Sequence, residues 1–217
     1  VYLKKKNKIL QIQNKALELS MFLSLPASVA LFLGSEEIIS ALFGYGSFDS
    51  NAVENSAKAL YYFGLGLPAF ALIKVFSTFF FANNNTKTPF YISLASVVLN
   101  ILISIYYFKS VGFIIIPIAT SISSWFNSIT LFIYLRNENL FKFKKLFIIK
   151  FLKIIFASII MGLFFDFLIS LFEAKLSYDY YFKSFYLVLS VLLGLTFYLL
   201  ISFIINAFNY KDLQLKY

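Results

Sequence analysis

Six apolar runs, each near the length of a bilayer crossing, dominate this 217-residue chain. They cover roughly residues 16–34, 57–81, 90–108, 113–135, 147–172 and 184–208, against the roughly 20 residues that a spanning helix needs. Inside hydrocarbon every backbone N–H and C=O must find a partner within the protein, so only helices and closed barrels cross it. A barrel would show short alternating strands, whereas these runs are continuous. The expected fold class is therefore all-α, a polytopic transmembrane helix bundle of about six spans. With 60% hydrophobic and 13% charged residues, the chain departs from soluble domains, which carry roughly 45–50% and 25%.

The net charge of +9 would suit a nucleic-acid partner, but its distribution is topological. Lys4, Lys5, Lys6, Lys8, Lys15, Lys87, Arg136, Lys142, Lys144, Lys145, Lys150, Lys153, Lys211 and Lys216 fall on one side of the six-span arrangement. Lys58, Lys109, Lys175 and Lys183 fall on the other, and Lys74 lies within a span. Basic residues accumulate on the cytoplasmic side, so both ends are expected there and no nucleic acid is expected as partner. The chain opens on Val1-Tyr2-Leu3 without a Met or a secretory h-region, and is expected to begin inside a larger protein.

Along the chain, Pro26 should kink the first span. Residues 36–48 are too short to cross; Ile38, Ile39, Leu42 and Phe43 predict a helix lying in the outer interface. Asn51 with Glu54 reads as a capping box for the second span. That span holds Gly64, Gly66 and Pro68, a place to bend, and then Lys74 among apolar residues. An ammonium in hydrocarbon costs about 2.5–3.5 kcal/mol on insertion scales. Two readings are open for it: snorkelling to the inner surface, or a cation facing a wet central cavity. The polar hairpin 82–88 follows, with Thr88 as expected N-cap and Pro89 at the first helical position.

Asn100, Asn127 and the small-residue pair Ala119 and Ser123 suggest interhelical hydrogen bonding and close packing, with a substrate role for the two amides as the other reading. The Lys- and Phe-rich loop 136–147 is expected to anchor to anionic headgroups. Asp166, near the far end of the fifth run, is either an interfacial acid or a coupling or packing group. Tyr178, Tyr180 and Tyr181 read as an interfacial aromatic belt. The last two runs carry little polar content, which separates 1–140, a transport bundle of four spans and the outer helix, from 141–217, a helix pair with its tail.

With no Cys and no His, thiolate and imidazole chemistry is excluded within this chain. No phosphate-binding GxxxxGK[ST] loop, H-E-x-x-H or G-x-S-x-G motif occurs. No catalytic residue, metal or cofactor is expected, and binding coupled to conformational cycling is favoured over enzymatic chemistry.

Several stretches, in order, resemble the C-terminal portion of the MurJ (MviN) family of lipid II flippases. They are LSLPASVAL (Leu23–Leu31), LFGYGSFD (Leu42–Asp49), GLPAFALIKV (Gly66–Val75), TKTP (Thr86–Pro89), VLNILIS (Val98–Ser104) and VGFIIIPIATSISSWFN (Val111–Asn127). The resemblance covers about residues 16–140, and 147–210 match by position as the family's last helix pair. It implies a two-lobe exporter of fourteen helices, of which this chain holds about six. The implied activity is movement of lipid II from the inner to the outer leaflet of the bacterial inner membrane by alternating access. A polysaccharide-lipid flippase, a drug exporter of the same superfamily and a non-transporting scaffold for cell-wall synthesis proteins are the alternatives.

Implied partners are lipid II, membrane lipids and cell-wall synthesis proteins. Lys74, in the family's A-L-x-K-V pattern, carries over to the cavity with Asn100 and Asn127, and Asn85, Thr86, Lys87, Thr88 and Pro89 to a cytoplasmic hairpin or gate. The family's usual charged residues are replaced here by Asn83, Asn85 and Tyr45, so the hairpin lacks their charge pair.

Overall fold

The computed structural model describes the backbone of residues 2–207 and the side chains of 8–207; Lys4, Lys5, Lys6, Lys211 and Lys216, used above to orient the chain, lie outside the described side chains. Among the described residues eight α-helices follow one another: α1 (Tyr2–Leu33), α2 (Ser35–Phe43), α3 (Ser50–Phe81), α4 (Lys87–Val111), α5 (Ile115–Asn137), α6 (Lys145–Leu171), α7 (Glu173–Leu176) and α8 (Lys183–Ile204). Among the described residues five stretches are long and apolar enough to cross a membrane. The longest, Lys87–Asn137, is folded as two helices, α4 and α5, joined by a short 3-10 turn at Gly112–Ile114. The six apolar runs thus become six long helices.

Each long helix packs chiefly on one or two neighbours, giving the spatial order α4–α5–α3–α1–α6–α8. The result is a wall one helix thick. At the end opposite the start of α1 and the end of α8, α2 lies over α3 and also touches the start of α8. Toward the other end a phenylalanine-rich cluster joins Leu17 of α1, Phe76 and Phe80 of α3, Leu131 and Leu135 of α5, and Phe141 and Phe147. It crosses the residue-140 division expected from composition. A second cluster ties Phe22 of α1 to Ile154, Met161 and Phe165 of α6 and Tyr198 of α8.

The helices approach closely where side chains are small. A Cβ on Gly66 would lie 2.7 Å from the Ser121 Oγ of α5, and one on Gly162 would lie 2.6 Å from Val29 Cγ1 of α1.

Both internal prolines stay within continuous helix. Each removes a backbone donor and so frees the carbonyl four residues earlier. For Pro26 that carbonyl is on Phe22, and Tyr198 Oη donates to it at 2.8 Å. For Pro68 it is on Gly64, and Ser28 Oγ donates to it at 2.7 Å. Neighbouring hydroxyls re-satisfy the broken ladder, which is how proline is tolerated at membrane depth.

Two caps differ from expectation. α3 starts at Ser50 with Asp49 as its N-cap, accepting from the Ala52 N–H at 2.8 Å; Asn51 is already helical, and Glu54 pairs with Lys58 one turn on. α4 begins at Lys87, and its first turn is held by Asn85, whose Oδ1 accepts from the Thr88 N–H while its Nδ2 donates to Thr88 Oγ1. Pro89 is therefore the third helical residue. In both cases the acceptor nearer the loop took the orphan N–H, because a cap must itself sit outside helical geometry.

Candidate functional site

Lys74 stands on the face of α3 that neither neighbour covers. Gly64, Gly66, Pro68, Ala69, Phe76 and Phe80 are buried because α1 and α5 press against them. The opposite face carries Phe63, Leu67, Phe70, Lys74, Thr78 and Phe81, exposed or half-buried at three- and four-residue intervals. Such spacing defines one stripe of a helix. Among the described residues the Lys74 ammonium has no hydrogen bond or ion pair.

Asn100 and Asn127 lie elsewhere, in the seam between α4 and α5. Asn100 Nδ2 donates to Thr120 Oγ1 at 3.0 Å and to Ser123 Oγ at 3.2 Å. Asn127, 6% exposed, reaches Ser93 Oγ at 3.4 Å, and its Oδ1 has no partner. The same helix serves α3 with its next face: Ser121 Oγ donates to the Tyr62 carbonyl and Trp125 Nε1 to that of Leu65. The small-polar run of α5 is thus a two-sided hydrogen-bonding strip between α4 and α3.

In the hairpin, Asn83 Nδ2 donates to the Phe79 carbonyl and Asn85 closes the turn as described. Thr86 and Lys87 are exposed, and Thr88 and Pro89 face inward. Asp166 is exposed five residues before the end of α6 and lines a polar cleft with Glu36 and Glu37. Burial, with smaller repulsion from Glu36 and Asp166, pushes the Glu37 carboxyl above its ordinary value.

Other groupings escaped the sequence reading. Glu18 of α1 pairs with Lys150 of α6 at 2.7 Å, so one topological lysine is committed to an interhelical pair. Gln13 donates to the Leu140 carbonyl, and Asn14 bonds both the Lys142 carbonyl and the Lys144 N–H, clamping the α5–α6 loop onto α1. Lys183 is 0% exposed. Its Nζ donates to the carbonyls of Gly44 and Tyr178, both at 2.6 Å, and sits 4.4 and 4.5 Å from the ring centroids of Tyr45 and Tyr178. Tyr178 also donates to the Phe48 carbonyl, so of the three belt tyrosines it is Tyr181 that projects freely, at 82% exposed. One signal for the Lys183 cage was visible: a lysine in a helix's first turn opposes the macrodipole and needs compensation.

Beneath the clamped loop, α1, α3, α5 and α6 line an open, almost wholly apolar groove of about 350 Å³ bordered by Leu17, Met21, Phe76, Trp125, Phe132 and Phe151 among others.

This row of long helices matches a known architecture. The family model described as lipid II flippase MurJ matches residues 2–191. The chain belongs to the MurJ family. Among MurJ relatives, a probable lipid II flippase of Rhizobium tropici is 40% identical over 124 residues, 57% of this chain and 23% of the relative. The Thermotoga maritima counterpart is 37% identical over 143 residues, covering 66% and 28%. A solved MurJ lipid II flippase in an inward closed conformation superposes with a TM-score of 0.75 at 29% identity, covering 97% of this chain and 41% of that one. The chain spans about a quarter of the length of the curated MurJ relatives it matches.

Proposed function

We propose that this chain forms part of a lipid II flippase of the bacterial inner membrane, with both of its ends cytoplasmic, and that the open stripe of α3 faces the translocation route. The observation that carries the reading is Lys74: a cation with no hydrogen bond or ion pair among the described residues, on the uncovered face of a membrane-length helix, in a chain of the MurJ family. A diphosphate–sugar headgroup is poorly solvated in hydrocarbon, and the penalty for moving unpaired charge there far exceeds thermal energy. A wet, cationic passage lowers that barrier while the polyprenyl tail stays in lipid. The wall of long helices supplies one side of the passage, and the rest of the complete gene product supplies the other. Rocking of one lobe against the other then exposes the headgroup to each leaflet in turn.

In this reading Lys74 adds favourable field for the phosphates. Asn100 and Asn127 hold the wall together beside the passage, and the hairpin at Asn85–Pro89 marks its cytoplasmic rim. Asp166 belongs to the opposite rim, where a coupling role is open to test. Residues 1–140 act as the moving wall and 141–217 as a greasy flank for the polyprenyl tail.

The test is lipid II binding by native mass spectrometry of the complete gene product, with and without Lys74→Ala, paired with leaflet-specific lipid II labelling after depletion in cells. Expected are binding that weakens in the variant and loss of outward lipid II on depletion. Indifference to lipid II with capture of a cationic drug would point to an exporter, and intact flipping after depletion to a scaffold; either result overturns the proposal.

A further inference from the structure

The groove beneath the α5–α6 loop opens on the side of the wall away from Lys74. Leu72 and Phe76 line it, each two residues from Lys74, and at about 100° per residue they stand on the far side of α3. Its surface is open: Trp125, Ile129, Phe143 and Ile148 all line it and are exposed. Phe143, Phe147 and Phe151 stack in a row, with centroids 5.2 and 5.9 Å apart and ring planes at 9° and 14°. Parallel rings make a smooth wall along which a straight hydrocarbon chain can lie. The one hydroxyl in the lining, on Ser128, already donates to the Trp125 carbonyl.

The mouth of this groove is cationic. On α5 the lining positions Trp125, Ile129 and Phe132 are continued at the same three- and four-residue spacing by Arg136. On the α6 side Lys144 comes one turn before Phe147 and Ile148, and Lys142 and Lys144 flank Phe143. The side chains of Arg136, Lys142 and Lys144 are exposed or half-buried and have no hydrogen bond or ion pair among the described residues. α6 starts here without an acid in its first turn or a side-chain cap, so its dipole adds to the positive field. Of the nearby acids, Glu18 is held by Lys150, and Glu138, exposed in the loop, is outnumbered. From Trp125 to Arg136 the helix climbs about 16 Å, against about 15 Å for the hydrocarbon of one leaflet. The groove thus spans a single leaflet, with its charges at headgroup level.

From this match of charge and length we propose that the groove holds an anionic diacyl phospholipid. Its phosphate lies among Arg136, Lys142 and Lys144, and one acyl chain runs along the stacked phenylalanines to Trp125. Arginine and lysine only donate, and their charge-assisted bonds to phosphate oxygens are the strong ones; basic pockets between helices recognise such headgroups. A zwitterionic lipid brings an ammonium of its own to a mouth already positive and binds more weakly. The lipid is a fixed part of the wall and not cargo, because α3 stands between it and Lys74. The proposal rests on the orientation given above only in assigning the leaflet, which is the cytoplasmic one.

The test is photolabelling of the complete gene product in nanodiscs of zwitterionic lipid. The probe is phosphatidylglycerol with a diazirine near the end of one acyl chain, compared with the matched phosphatidylcholine probe, and adducts are mapped by peptide mass spectrometry. Expected are adducts concentrated on Met21, Leu72, Trp125 and Ile129, at least about tenfold more from phosphatidylglycerol. Arg136→Gln, Lys142→Gln and Lys144→Gln together should bring the anionic probe down to the zwitterionic level, while Lys109→Gln at the other end changes nothing. Excess lipid II should leave the labelling intact. If the triple variant does not fold by circular dichroism, the comparison of the two probes on wild-type protein decides alone. Equal labelling by both probes, adducts scattered over the exposed face of α4, labelling that survives loss of the three charges, or displacement by lipid II would each overturn the proposal. Because flipping is not read, failure here leaves the flippase reading standing.

Discussion

Tyr198 is 1% exposed in a helix otherwise rich in Leu, Val and Phe, and its hydroxyl donates to the carbonyl that Pro26 leaves free. Ser28 does the same for Pro68 from the opposite direction. Hydrogen bonds of this kind at membrane depth are worth about 0.6 kcal/mol on average, rising to about 1.7. Tyr198→Phe and Ser28→Ala are therefore expected to lower thermal stability by about 1 kcal/mol each, measured as the midpoint shift of the protein in detergent. Glu37 supplies a pH dependence. Its folded-state pKa is raised by burial above the unfolded value, so its contribution is fully present below the ordinary carboxylate range and is lost as pH rises through the folded value. Wild-type protein should lose stability relative to Glu37→Gln as pH climbs from the ordinary carboxylate range toward neutrality, while the variant's profile stays flatter; parallel profiles would show that Glu37 is not the group responsible.

At the scale of elements, α5 organises one half of the wall because small side chains let both neighbours approach it. Gly66 against Ser121, and Gly162 against Val29 at the α1–α6 contact, leave no room for a branched residue. Gly162→Val is expected to cost about 1–3 kcal/mol through overpacking and to loosen α6 from α1, seen as faster hydrogen exchange along α6. The start of α4 depends on Asn85, and Asn85→Ala should cost about 1 kcal/mol through loss of the cap. Hydrogen exchange at Thr88 would report it; unchanged protection would mean that Thr86 or water satisfies the freed N–H instead.

Across the whole molecule, buried polar groups fasten the last helix to α1 and α2 beside its apolar packing on α6. Lys183 draws the loop after α2 and the segment before α8 into one cage, and Tyr198 pins α8 to α1. Lys183→Met would strand two carbonyls, at about 1–3 kcal/mol each, and is expected to release α8 from α2 while the α3–α5 pair stays intact. Cysteine crosslinking between residues 41 and 184, whose parent residues are in hydrogen-bond contact, would measure that separation.

The number and order of the membrane helices, and the lysine asymmetry, were determined by the sequence itself, because hydrocarbon demands about 20 apolar residues per crossing and that demand is local. The likeness to the MurJ family was legible for the same reason, in motifs that are each continuous in the chain. Which faces meet was decided only by the tertiary structure. Asn100 and Asn127 could have lined a cavity or a seam; packing put them in the α4–α5 seam and left Lys74 on the open stripe. The far cleft of Glu36, Glu37 and Asp166, the Glu18–Lys150 pair and the Lys183 cage join residues more than a hundred positions apart in the chain. Long-range pairing of this kind depends on how helices turn about their axes, which a nearly uniform apolar sequence barely specifies.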